Sequence, residues 1–254
     1  MLIALNPAQQ FGVLHKYWLV PVNEKNDGKK QMTEFWEENF REKQDMWGWE
    51  PVDSAVSIAK LFLERGFKYI LIPGFGYGRN AMPFLNHGMK VTGIEISETA
   101  IDLAKRRFGN LMPVYHGPVS AMPFDKIAYD GIFCYALLHL LEENERKKLI
   151  RDCYNQLKPD GYMVFITLSK SDKRYGDGIK TSKDTFETKH GVRLFFYDTE
   201  SVKEDFDQYG LTEITEIKEP INDHEKKPDA IFSSNCLSKK QTFYLIASRS
   251  NNKG

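Results

Sequence analysis

Three cysteines in 254 residues, Cys134, Cys153 and Cys236, are too few and too scattered to staple a small secreted fold. No C-x-x-C occurs, so neither a zinc ribbon nor a dithiol redox pair is expected, and the thiols read as reduced side chains. The six histidines form no H-E-x-x-H or comparable spacing, so no metal site is expected. Long apolar runs are missing too. The longest, Ile132 to Leu141, is about half the length needed to cross a bilayer. Charge of one sign is absent: 35 basic residues balance 35 acidic ones, which offers no global field for nucleic acid or a membrane surface. No basic stretch followed by an apolar core opens the chain, so no signal peptide is expected and a cytoplasmic location is.

What is present fits one α/β domain with room for an added lobe, at 41% hydrophobic and 28% charged residues. Strand patterns near 68–73, 90–95, 112–116, 129–135, 160–168, 211–218 and 241–248 alternate with helical ones near 79–86, 98–107, 143–156 and 199–209. Such alternation predicts βαβ units in a doubly wound, mostly parallel seven-stranded sheet with helices on both faces. The final strand has no helix before it, so an antiparallel edge placement follows. Residues 1–31, ending in a polar run from Asn23 to Lys30, read as a weakly structured extension, and 32–254 as the domain proper. A helix is expected from Thr33, with Trp36 and Phe40 on one face. Residues 169–198 break the rhythm with a charged loop leaving the ligand-binding end of the sheet, and read as a substrate lid.

The densest signal is Ile70-Leu71-Ile72-Pro73-Gly74-Phe75-Gly76-Tyr77-Gly78. A buried strand ending in three glycines two apart lets a nucleotide-like ligand approach bare backbone. A second apolar run then delivers Glu95 about twenty residues after the first glycine, where an acid can accept both ribose hydroxyls. A dinucleotide site wants its third glycine where Arg79 stands, so G-x-G-x-G suits a ligand with one ribose and an amino-acid tail better.

The loop, Glu95-Ile96, Met122-Pro123-Phe124 and Leu157-Lys158-Pro159-Asp160-Gly161-Tyr162 resemble, in order and spacing, the class I S-adenosylmethionine-dependent methyltransferases, over about Met32 to Arg249. Pro73 and Phe35-Trp36-Glu37-Glu38 look like the thiopurine methyltransferase branch, and Gly78-Arg79-Asn80 like the tellurite-resistance branch. Two departures stand out: Ile72 replaces an acid common before the first glycine, and Gly117-Pro118 lacks the aspartate common after the third strand. The resemblance implies a Rossmann-like methyltransferase fold, S-adenosyl-L-methionine as cofactor and a small-molecule acceptor, with no nucleic acid or membrane partner. It also implies the contacts. Gly74, Gly76 and Gly78 would admit the methionine and ribose portions, Glu95 the ribose hydroxyls, and Ile96 would pack on adenine. Val119-Ser120 would meet the adenine edge, Cys134 and Tyr135 would flank the amino-acid tail and the methyl group, and Trp36 and Trp47 would cover the cofactor.

Methyl transfer is an in-line displacement in which positioning supplies much of the barrier reduction, so no universal catalytic residue is expected. His139, just past the fourth strand, is the candidate base, with a packing histidine as its bland alternative; Tyr135 is either beside the methyl site or a rim aromatic. Acceptors stay open among thiol, metalloid, oxygen and nitrogen nucleophiles. A non-catalytic S-adenosylmethionine or S-adenosylhomocysteine binding module is the rival reading, and a nicotinamide oxidoreductase a third. Oligomeric state is not legible.

Overall fold

The computed structural model describes residues 27–219 and 240–250. Cys236, the 1–26 extension and the connection through Pro220 to His224 lie outside the described residues. Five strands run parallel in the first part of the chain: β1 (Tyr69–Pro73), β2 (Lys90–Glu95), β3 (Val114–His116), β4 (Tyr129–Tyr135) and β5 (Leu157–Leu168). With β9 (Leu211–Glu219) and β10 (Lys240–Ser248) they form one seven-stranded sheet, in the order β3-β2-β1-β4-β5-β10-β9. β10 is antiparallel to both its neighbours. It therefore sits one place in from the edge that was expected of it, and β9 is the edge strand.

Alternation along the strands sorts side chains into two cores. Ile70, Ile72, Phe133, Val164 and Ile166 join one cluster with Ala55, Ile58 and Phe62 of α2 (Asp53–Glu64), Phe84 of α3 (Met82–Asn86) and Phe108 of α4 (Glu98–Phe108). Leu71, Ile132, Cys134, Met163 and Phe165 point the other way. They pack on Leu149 and Cys153 of α5 (Glu143–Gln156) and on Val202 and Phe206 of α6 (Thr199–Phe206). Period-two alternation in a sheet covered on both faces is what a doubly wound fold requires. Each such aliphatic or phenyl side chain contributes roughly 1.5–3 kcal/mol by leaving water.

Two elements differ from the sequence expectation. Helix α1 begins at Asp27, inside the stretch read as a weakly structured extension, and runs to Lys43. Residues 169–198 are no open loop: β6 (Ile179–Ser182), β7 (Thr185–Glu187) and β8 (Arg193–Phe195) make a small antiparallel sheet. Its apolar side chains Phe186, Val192, Leu194 and Phe196 cluster with Leu168, and Phe35 and Leu140 pack against them. Lys170 ties this sheet down, bonding Asp184 at 2.7 Å and Asp198 at 2.5 Å.

Candidate functional site

The site grows from the end of β1. Pro73 has no N–H to give, and the next two amides, of Gly74 and Phe75, both donate to the Ile94 carbonyl at 3.0 Å. The chain thus turns sharply off the sheet. Gly76 sits at φ 57°, and a Cβ added there would meet only Phe40 Cζ at 3.9 Å, so main chain is bare at this point. Gly78 is at φ 85°, where a Cβ would come within 2.9 Å of Phe75 and 3.0 Å of Phe108. Both angles disfavour any side chain, and at Gly78 the space is also taken.

Glu95 closes the turn from the other side. Its Oε2 accepts the Gly76 N–H at 2.6 Å, and its Oε1 accepts the Ile96 and Ser97 N–H groups at 2.8 and 2.9 Å. The side chain is only 6% exposed. Burial pushes its pKa up, against the lowering pull of those amides from Ser97, Gly76 and Ile96, and the net direction is upward. Three amides on the roughly four lone-pair sites of a carboxylate leave room for about one hydroxyl before an existing bond must adjust.

Ser97 is the N-cap of α4, its hydroxyl accepting the Ala100 N–H at 3.1 Å. Glu37 of α1 reaches the same turn. It accepts Ser97 Oγ–H at 2.6 Å and the Thr99 hydroxyl at 2.5 Å, with the Thr99 N–H at 3.3 Å. Burial raises the Glu37 pKa, but the hydrogen bonds from Ser97 and Thr99 outweigh it and the carboxyl lies below its ordinary value.

Aromatic side chains roof the glycine turn. Trp36 lies 6.2 Å from Trp47 between ring centroids, Phe40 meets Trp47 edge-on at 5.8 Å, and Trp47 stacks on Tyr77 at 6.3 Å. Tyr77 is buried; its hydroxyl donates to the Gly48 carbonyl at 2.7 Å and accepts the Trp47 N–H at 3.1 Å. Arg79 Nη1 donates to the Trp47 carbonyl at 2.8 Å, and Asn80 Oδ1 accepts the Val52 N–H at 3.2 Å. Arg79 and Asn80 are thus spent on holding the 47–52 segment against the loop.

On the far side of β1, Ala136 follows β4 at φ 54°, a left-handed backbone that alanine rarely adopts. This bend sets Leu137 against Gly74, whose added Cβ would lie 3.1 Å from the leucine side chain. Tyr135 is half-buried and stacks on Phe133 at 6.3 Å. His139 is buried on a short turn, its Nδ1 3.5 Å from Thr167 Oγ1.

The structure therefore brings Gly74, Gly76, Gly78 and Glu95 together at the turn after β1, with Ile96 half-buried directly after the acid and Trp36 in ring contact with Trp47. Val119 and Ser120 lie on a short helical turn after β3, the valine buried and the serine half-buried. Cys134 needs correcting as a side-chain contact: its thiol is wholly within the core, where burial pushes its pKa far up. The residue as a whole is 0% exposed, so it underlies the site rather than lining it. Sequence reasoning missed Glu37, Ser97, Tyr77 and Ala136. Ser97 alone carried a local signal, a serine just before an apolar-periodic helix.

Comparison with known proteins bears on the domain and the fold. A family model described as a methyltransferase domain matches residues 71–165. A protein of Geobacillus sp. (strain WCH70) named as a methyltransferase is 33% identical over 137 residues, 49% of this chain and 53% of the relative. The ubiquinone biosynthesis O-methyltransferase of Coxiella burnetii is 31% identical over 111 residues, 42% of this chain and 47% of its own length. The chain thus spans about half the length of the curated relatives it matches. The fold is similar to that of the Burkholderia thailandensis 1,6-didemethyltoxoflavin-N1-methyltransferase, crystallised with S-adenosylhomocysteine. There the TM-score is 0.63 at 17% identity, over 91% of this chain and 93% of that one.

Proposed function

We propose that this chain, which belongs to the class I S-adenosylmethionine-dependent methyltransferases, moves a methyl group onto a small-molecule nucleophile by in-line displacement. The observation that carries the reading is the Gly76–Glu95 cradle. Bare main chain at φ 57° and a buried carboxylate meet at 2.6 Å, leaving no side chain between them. That geometry fits a ligand with vicinal hydroxyls close to the backbone.

When bound, S-adenosylmethionine supplies an electrophilic methyl on a sulfonium whose positive charge vanishes as the bond forms. Glu95 holds the ribose by accepting its hydroxyls, and the bare main chain at Gly76 leaves room for the chain that carries the sulfur. Trp36 and Trp47 exclude water, and their electron-rich faces attract a cation. Ile96 packs on the base and the main chain at Val119 and Ser120 meets its edge. Tyr135, half-buried at the end of β4, stands beside the transferred group.

The acceptor enters from the β6–β8 side. Phe35 and Leu140 pack against that sheet, and His139 lies on the same short turn as Leu140. The small sheet acts as a lid. An apolar wall of this kind suits an uncharged or aromatic acceptor carrying a thiol, hydroxyl, amine or metalloid nucleophile. A thiolate or metalloid anion needs only positioning, whereas a hydroxyl must lose a proton, and in this reading His139 takes it.

Incubation with S-adenosylmethionine labelled on its methyl group and a panel of thiols, phenols and amines tests the activity. Label transferred to at least one class is expected. Tight binding of S-adenosylhomocysteine with no transfer to any of them would reduce the chain to a binding module.

A further inference from the structure

We propose that Glu37 is a positioning residue that makes seating of α1 and binding of the adenosyl cofactor one linked event, acting through Ser97. The inference rests on the cofactor reading above.

Neighbouring residues of α1 touch three different parts of the site. Phe35 packs on the β6–β8 sheet, Trp36 and Phe40 on the aromatic roof over the glycine turn, and Glu37 on the first turn of α4. The apolar contacts are non-directional, so they allow the helix to slide or roll. Glu37 adds direction. Its two oxygens take both hydroxyls of Ser97 and Thr99, whereas the side-chain bonds of Asn39 to the Phe35 carbonyl and of Lys43 to Asn39 stay within the helix.

Ser97 is where the two carboxylates meet. Its N–H goes to Glu95 Oε1 at 2.9 Å and its hydroxyl to Glu37 Oε2 at 2.6 Å. Two like charges tolerate such closeness because both sit at the N-terminal end of α4, where the helix dipole favours negative charge. Glu95 cannot hold ribose hydroxyls without adjusting the bonds it makes to Ser97 and Ile96. Any shift of Ser97 is felt at Glu37, and thereby by the helix that carries Trp36. Coupling of this sort is reciprocal: whatever cofactor binding does to the seating of α1, seating does to cofactor affinity.

Glu37→Gln keeps the size of the side chain but replaces one acceptor oxygen with a donor. It is expected to weaken S-adenosylhomocysteine binding at least tenfold by titration calorimetry. It should also raise KM for S-adenosylmethionine similarly and leave kcat at saturation within about threefold, a split that general loss of fold would not give. Ser97→Ala should weaken binding comparably, and the double variant should be no worse than the worse single one, since both cut the same link. Thr99→Val, which removes one hydroxyl and leaves Glu37 in place, should give an intermediate loss and serves if Glu37→Gln folds poorly. In the wild type the ligand should slow amide exchange across 33–43, and in Glu37→Gln it should not. Glu37→Gln binding within twofold of wild type, or losses that simply add in the double variant, would overturn the inference while leaving the cofactor reading standing. A wild-type chain that does not bind the ligand would remove both.

Discussion

The Gly76 amide donates to Glu95 Oε2 at 2.6 Å, joining the turn after β1 to the last residue of β2 across 19 positions of sequence. Glu95→Ala breaks that joint and orphans three backbone donors, those of Gly76, Ile96 and Ser97. An unsatisfied buried donor costs about 1–3 kcal/mol, so a stability loss on the order of 2 kcal/mol is expected in urea titrations, water reaching some of the amides. S-adenosylhomocysteine affinity should fall at least a hundredfold. Unchanged affinity would show that the ribose lies elsewhere.

The same residue sets a pH dependence. Burial raises the folded-state pKa of Glu95 above its ordinary 4.5 despite the opposing amides. For an acid raised in this way, the contribution to folding is complete below 4.5 and is lost as pH rises through the folded value. Ligand affinity runs the opposite way, because ribose hydroxyls need the ionised acceptor. Calorimetry from pH 7.5 downward should show weakening with a midpoint above 4.5, a trend absent in Glu95→Ala. A flat profile in the wild type would argue against the assignment.

Gly93 tests the packing under the loop. Its Cβ, if present, would lie 2.5 Å from Phe75 Cδ2, so Gly93→Ala forces the phenyl ring and the glycine turn above it to move. Overpacking of this kind costs about 1–3 kcal/mol. The variant should melt lower and bind S-adenosylhomocysteine more weakly, and adding Phe75→Leu should restore part of both. No recovery in the double variant would mean that the strain lies outside the Phe75 contact.

Lys170 carries the electrostatics of the small sheet. Burial pulls its pKa down, but hydrogen bonds to Asp184 and Asp198 more than reverse this, and Asp198 is held well below its ordinary value against its own burial. The lysine contribution is present below 10.5 and fades as pH rises above it; the aspartate contribution is present above 3.8 and fades as pH falls through the depressed value. Lys170→Met should therefore cost most between those limits. About 1–3 kcal/mol is expected at pH 7, because the pair is only partly shielded from water. Equal stability of the two proteins at pH 7 would contradict this.

His139 separates acceptor classes. With a hydroxyl acceptor, His139→Gln should lower kcat by about a hundredfold, in the range of general base catalysis. With a thiol assayed above its own pKa, turnover should stay within about threefold. Equal losses for both would mark the residue as a packing element around Thr167.

Much of the frame is readable in the sequence because its determinants are local. Ile70-Leu71-Ile72 followed by glycines announces a buried strand and its turn, and the seven strands of the main sheet were placed by runs of this kind. β6 to β8 were not, since Ile179-Lys180-Thr181-Ser182 and Thr185-Phe186-Glu187 carry too few apolar residues to show a period. Nothing in α1 distinguishes Glu37 from Glu34, Glu38 or Glu42 until α4 is brought beside it. The left-handed Ala136 is likewise invisible, for sequence advertises such a bend only when glycine or asparagine fills it. The roof is half legible: the tryptophans stand out, whereas the role of Tyr77 in pinning them depends on a bond across 29 residues.

The most direct measurement is titration calorimetry of the purified chain with S-adenosylhomocysteine, with NAD as control, in wild type and Glu95→Ala. One saturable site for S-adenosylhomocysteine in the wild type, sharply weakened in the variant, and none for NAD is the expected result. Binding of NAD instead, or S-adenosylhomocysteine binding that ignores Glu95, would contradict the account.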